Sequence, residues 1–162
     1  MIRCHVALGS NLGNPLVTVD EAIEALAALR GSILQAMSSL YRTAPVGLRH
    51  QPDFINAVVT LDTRLRPREL LDELFAMEAR FGRQRSVRNA PRTLDLDLLL
   101  YGDLVQADPA LTLPHPRMHE RAFVLAPLAE IAPGLVIPGH GTVEQLLERC
   151  HDQRIHALER HA

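Results

Sequence analysis

Two carboxylates sit where a core strand should carry only apolar side chains. In the segment APRTLDLDLLLYG, Ala90 to Gly102, Asp95 and Asp97 interrupt a run of leucines. Residues two apart on a strand face the same way, about 6.5–7 Å apart at a rise of about 3.3 Å per residue. Both carboxylates therefore project from one side, and Leu94, Leu96, Leu98 and Leu100 take the opposite, core-facing side. Hard divalent cations such as Mg2+ take oxygen ligands, commonly one or two carboxylates completed by substrate phosphates and water. An amphipathic strand with a solvated acidic face would show the same pattern. The residues just before it favour the metal: Arg83, Arg85 and Arg88 lie between Gly82 and Pro91 without a single acid, and Arg92 follows. Guanidinium forks bind the non-bridging oxygens of a polyphosphate. A solvated basic loop or a nucleic-acid patch would explain the arginines, but the acidic pair behind them argues against nucleic acid as sole partner.

A second constellation lies in FINAVVTL. Ile55, Ala57, Val59 and Leu61 form one face of the expected strand, and Phe54, Asn56, Val58 and Thr60 form the other. An aromatic beside an amide on a sheet face can stack on and hydrogen-bond a flat heterocycle. Ordinary packing under a loop is the alternative. Asn56 is the more telling of the two, because a polar group on a semi-buried strand needs a partner. In PHPRMHER, His115 and His119 have the i, i+4 spacing of a helical zinc pair. Pro114 and Pro116 instead make His115 the end of a turn, and no third ligand is near. His115 reads as a phosphate or ribose donor and His119 as a capping or surface histidine. All 17 basic residues are Arg. Without lysine there is no Schiff base and no phosphate-loop lysine, so phosphate chemistry must rest on Arg, metal and backbone.

These residues need elements to position them. Ile2, Cys4, Val6 and Leu8 alternate as a first strand, and GSNLGN follows as a loop. Asn14-Pro15 supplies a cap and first turn for a helix with Leu16, Val19, Ile23 and Leu26 on its apolar stripe, running up to Gly31. Leu34 to Tyr41 reads as a weak strand and Phe54 to Leu61 as a strong one. Pro67 opens a second helix with Leu70, Leu71, Leu74 and Phe81 as its stripe, ended by Gly82. Leu94 to Tyr101 is the two-carboxylate strand, with Tyr101-Gly102-Asp103 as a hairpin turn after it. Arg117 to Leu128 and Thr142 to Cys150 read as shorter helices. The order strand-helix-strand-strand-helix-strand predicts an α+β, ferredoxin-like βαββαβ fold. Its sheet is mostly antiparallel with helices packed on it in three αβα layers. The two long helices cover one sheet face, leaving the other free to build a site.

With 162 residues, 47% hydrophobic and 22% charged, one domain spanning 1–162 is expected, with about 151–162 a loosely held polar tail. A net charge of -2 gives no general attraction to nucleic acid or to an anionic membrane. No signal peptide and no apolar run of about 18 residues are present, which points to the cytoplasm. Cys4 and Cys150 stand alone at opposite ends and read as free thiols.

ALGSNLGNP, LYRTAPVG, QPDFINAV, APRTLDLDLLLYG and LPHPRMHERAFVLAPLAEIAP occur in this order. With these motifs the chain, from the first strand to about residue 150, closely resembles the hydroxymethyldihydropterin pyrophosphokinases of folate biosynthesis. The resemblance implies transfer of pyrophosphate from ATP to the hydroxymethyl group of the reduced pterin, with AMP released. It implies two Mg2+ ions on Asp95 and Asp97 and catalytic roles for Arg83 and Arg92. It implies pterin contacts from Thr43, Ala44, Pro45, Val46, Phe54, Asn56 and Phe123. For ATP it implies Glu78, Arg83, Arg85, Arg92, Leu98, Thr112, His115 and Arg121. The expected partners are these two small molecules, with no nucleic acid and no membrane, and the expected state is a monomer. The chain departs from the family pattern at Asn89-Ala90, where relatives carry Trp-Gly in a loop one residue longer. It departs again at Ala44, where some have Pro, and at Ala110, where some have Arg. A two-metal phosphohydrolase and a nucleotide-binding regulatory module are the competing readings.

Overall fold

The structure is a computed structural model and describes residues 1–44, 51–82 and 94–158. Strand β1, Ile2–Ser10, runs between β4, Phe54–Thr63, and β5, Asp95–Tyr101, and is antiparallel to both. Beyond β4 lie β2, Ser32–Met37, and β3, Leu40–Thr43, each antiparallel to it. Helix α1, Pro15–Ala27, and helix α2, Pro67–Arg80, make the two crossovers. Taking β2 and β3 as one interrupted strand, this is the expected βαββαβ order, with β5 beside β1 and β4 between β1 and β3.

Local chemistry explains the helix ends. The Asn14 side chain accepts the Val17 N–H at 3.4 Å, and Pro15 follows it in the first turn of α1. At α2 the Glu69 carboxylate reaches back to the Arg66 N–H at 3.0 Å. Gly82, at φ 89°, ends α2 in the left-handed region that a Cβ disfavours. The stripes Val19, Ile23, Leu26 and Leu70, Leu71, Leu74 pack against Val6, Leu8, Ala57, Val59, Leu61, Leu94 and Leu96 in one apolar core. Each fully buried leucine there contributes about 1.5–3 kcal/mol. Leu16 stands at the exposed end of its stripe.

Four expectations are corrected. First, the weak strand of residues 34–41 is two strands. Ser38 breaks the ladder: its hydroxyl accepts the Val58 N–H at 2.9 Å, and its own N–H donates to Val58 O at 2.9 Å. Second, the sheet face opposite α1 and α2 is only partly free. Helix α3, Ala122–Ile131, and helix α4, Val143–Glu148, close a second core over Val58, Leu99 and Leu100. This gives the three layers but confines the open face to one end. Leu100 falls in this second core rather than with Leu94 to Leu98, because the β1–β5 register shifts between His5 and Val6 and turns the strand's end over. Third, the turn at Tyr101-Gly102-Asp103 does not return a strand to β5. Strands β6, Gln106–Asp108, and β7, Leu111–Leu113, pair with each other instead. Fourth, the tail is not loose throughout, since β10, Ile155–Leu158, adds antiparallel to β3 with Ile155 opposite Thr43. A further small pair, β8, Val136–Ile137, and β9, Gly141–Thr142, precedes α4.

Candidate functional site

The cross-strand register assembles the site. Asp95 lies opposite Gly9 of β1, Gly9 opposite Asn56 of β4, and Asn56 opposite Tyr41 of β3. The next row holds Asp97, Ala7 and Val58. Asp95 and Asn56 thus share a row two strands apart, about 9–10 Å at normal strand spacing. Both aspartates are half-buried on the face opposite Leu94, Leu96 and Leu98. Gly9 leaves the lane between them open: a Cβ there would come within 3.0 Å of Asn56 Oδ1.

Asn56 is 6% exposed, and its Nδ2 donates to Thr43 Oγ1 at 2.7 Å. That bond fixes which end of the amide points where and leaves Oδ1 on the Gly9 side. Phe54 is half-buried at the start of β4, opposite Thr43. Ala44 follows at the exposed end of β3. The segment leading into Phe54 is held by Asn11, whose Nδ2 donates to Gln51 Oε1 and to Pro52 O, both at 3.3 Å.

Phe123 sits half-buried in the first turn of α3 against the second core, with the Arg121 guanidinium 5.5 Å from its ring centroid. His115 lies along β5, its N–H donating to Leu99 O at 2.9 Å. Its Nδ1 accepts the Arg117 N–H at 3.2 Å, so the ring proton sits on Nε2. Burial pulls its pKa below the ordinary histidine value, Arg121 and Arg117 add to this, and Asp97 opposes it. A neutral donor imidazole beside Asp97 and Arg121 results. His119 does not join it, since its ring stacks on His140 at 3.8 Å. Among the described residues no group of three His, Cys, Asp or Glu could hold a metal by itself. A cation at Asp95 and Asp97 would need substrate or solvent oxygens, as Mg2+ usually does.

The other expected contacts are more scattered. Leu98 turns its side chain into the first core, which leaves only its backbone for a ligand. Thr112 is exposed on β7 and donates to Asp108 O at 3.1 Å. Glu78 is 1% exposed on α2, and its carboxylate accepts the Leu96 N–H at 2.8 Å. Pro45, Val46, Arg83, Arg85, Arg88 and Arg92 lie outside the described residues. Sequence reasoning missed Gly9, Asn11, Tyr41, Glu130 and Gln153. The motif GSNLGN was the one available signal for the first two. The other three act through contacts distant in sequence.

The fold is a ferredoxin-like α+β sheet, with a pair of carboxylates on its edge strand β5 and an amide on β4 across Gly9. Residues 5–133 match the family model described as 7,8-dihydro-6-hydroxymethylpterin-pyrophosphokinase, HPPK. The 2-amino-4-hydroxy-6-hydroxymethyldihydropteridine pyrophosphokinase of Pseudomonas aeruginosa is 46% identical over 156 residues, 96% of each chain. That of Haemophilus influenzae is 43% identical over 155 residues, 96% of this chain and 97% of its own. The chain belongs to the HPPK family and is a pyrophosphokinase. The crystal structure of Plasmodium falciparum HPPK-DHPS with pteroate shares the fold at a TM-score of 0.70 and 14% identity. The match covers 91% of this chain but only 42% of that one.

Proposed function

We propose that this site transfers the pyrophosphoryl group of ATP to the hydroxymethyl group of 6-hydroxymethyl-7,8-dihydropterin, releasing AMP, in the service of folate biosynthesis. The observation that carries the proposal is the row Asp95–Gly9–Asn56, which sets a phosphate-side carboxylate and a heterocycle-reading amide on one face with an open lane between.

Asn56 Oδ1, oriented by Thr43, accepts from the pterin's polar edge, while Phe54 and Phe123 stack on its faces. Thr43, Ala44, Pro45 and Val46 add the remaining pterin contacts. Asp95 and Asp97 fit two Mg2+ ions: hard oxygens, half-buried, on one face of a rigid strand. A cation held there would supply charge neutralisation and orientation for the triphosphate. Arg83, Arg85, Arg92 and Arg121 bind its oxygens, Arg83 and Arg92 where charge builds as AMP leaves. Neutral His115 donates from Nε2 to phosphate or ribose. Thr112 and the Leu98 backbone add nucleotide contacts. Glu78, under β5, acts on ATP through the strand it holds. The pterin hydroxyl attacks the β-phosphorus in line, and no described side chain is required as covalent carrier.

The chain works as a monomer in the cytoplasm on these two small molecules, without nucleic acid or membrane. Among the described residues no helix is long and apolar enough to cross a membrane. Product analysis tests the reading. Protein, ATP, Mg2+ and the pterin should yield AMP in step with pterin pyrophosphate, and none without pterin or with Mg2+ chelated. ADP, or hydrolysis without pterin, would move the reading to the phosphohydrolase. Arg92→Ala should lower kcat about tenfold or more, as expected for a contact made mainly in the transition state.

A further inference from the structure

We propose that Gln153 is a positioning residue for both substrates, a cap supplied from the C-terminal segment to the helix that carries Phe123. The inference rests on the assignment of Phe123 to the pterin and Arg121 to ATP. Helix α3 begins at Ala122 with no side-chain cap from Arg121 and no acid in its first turn. The first N–H groups of a helix have no partner inside it. Ala122 is 2% exposed, so water cannot serve its N–H freely. Gln153 Oε1 accepts that N–H at 2.9 Å, and Gln153 Nε2 donates to Glu120 O at 2.8 Å. The two partners force the amide's orientation, since an N–H must meet the oxygen and a carbonyl the NH2 group.

The clamp closes on the main chain on both sides of Arg121, one residue before Phe123, and the guanidinium of Arg121 lies over that same ring. One side chain thus sets the direction in which both leave the backbone. Gln153 is itself fixed: its N–H donates to Cys150 O at 3.0 Å, and two residues on β10 pairs with β3 beside Thr43. Residue 153 lies beyond the 5–133 span of the family match, so this part of the site comes from the remainder of the chain.

Gln153 is exposed, so the near-isosteric Gln153→Met should fold, losing both hydrogen bonds while keeping the side chain's length. With the full chain, well below each variant's unfolding temperature, KM for the pterin and for ATP should each rise about threefold or more with kcat within about twofold, the signature of lost uniform binding. In a Phe123→Ala background the same change should no longer raise the pterin KM, because the two act through one contact. A lower Tm with both KM values unchanged, or additive effects on the pterin KM, would reduce Gln153 to a stabilising cap and overturn the proposal. If Phe123→Ala alone leaves the pterin KM unchanged, the stacking assignment fails and the proposal falls with it.

Discussion

The N–H of Leu96, the residue between the two aspartates, donates to the buried carboxylate of Glu78 at 2.8 Å. Among the described residues strand β5 is the last in its sheet, paired on one side with β1. The other side of Leu96 would present an orphan donor, and α2 supplies the acceptor a further strand would have given. Glu78→Ala should destabilise the fold by about 2–4 kcal/mol, from an unsatisfied amide and a cavity. Glu78→Gln keeps an acceptor oxygen and should lose less than half of that. Urea denaturation reads both, and equal losses would mean that the Leu96 bond is not what Glu78 provides.

The Thr43–Asn56 pair gives a specificity prediction. With Thr43→Val the Asn56 amide loses the acceptor that orients it while shape is nearly kept, and the pterin KM should rise about tenfold, about 1.4 kcal/mol. The ATP KM should stay within about twofold. Gly9→Ala should act in the same direction, because its Cβ would press on Asn56 Oδ1 at 3.0 Å. A change confined to ATP would separate Asn56 from the pterin.

His5 predicts how stability follows pH. It is 4% exposed in β1 and shares a 3.0 Å hydrogen bond with Thr60 Oγ1. Burial, assisted by Arg3 and opposed by Asp62, lowers its pKa to about 4. Unfolded, it would titrate near 6.5. Between these values the unfolded chain binds more protons, so stability falls as pH drops from about 6.5 towards 4 and levels off below. The His5 contribution to that loss is about 3 kcal/mol, at about 1.4 kcal/mol per pH unit. His5→Gln should flatten the slope in that window, seen in denaturation at stepped pH; an unchanged slope would assign it to the carboxylates.

The parts legible in the sequence are those whose signal is local. The Asn14-Pro15 cap, the alternation from Ile55 to Leu61 and the Leu70–Leu74 stripe each reflect a period or a turn within a few residues. The strand break at Ser38 was not legible, because a hydroxyl replaces a ladder bond only once Val58 lies beside it. Nor was the turning-over of Leu100, which depends on a register shift between β1 and β5. Strand β10, Ile155–Leu158, is only 4 residues long, too short to announce itself, and exists through pairing with β3. The carboxylate pair was visible because charge in an apolar strand is costly without a reason. Glu78 was reached only through the resemblance, and its bond to Leu96 on β5 was not legible.

The Tyr41–Glu130 tether predicts an alkaline signature. Glu130 of α3 accepts the Tyr41 hydroxyl at 2.6 Å, the Ser39 hydroxyl at 2.8 Å, and the Ser39 N–H at 3.0 and 3.1 Å, latching β3 to the helix that carries Phe123. Burial first, then the hydrogen bond and charge of Glu130, push the Tyr41 pKa well above the ordinary tyrosine value, and burial also raises that of Tyr101. These are the chain's 2 tyrosines. The folded protein should therefore show little tyrosinate absorbance near pH 10, where free tyrosine is about half ionised. Above that pH the unfolded chain releases phenolic protons that the folded chain retains, so stability must fall as pH rises. Tyr41→Phe should remove part of that alkaline slope and cost about 1 kcal/mol at neutral pH. Glu130→Ala should cost more, because it leaves the Ser39 and Tyr41 donors without their acceptor, and should raise the pterin KM by loosening β3 at Thr43. Tyrosinate appearing near pH 10 before any unfolding would show that the latch does not hold in solution.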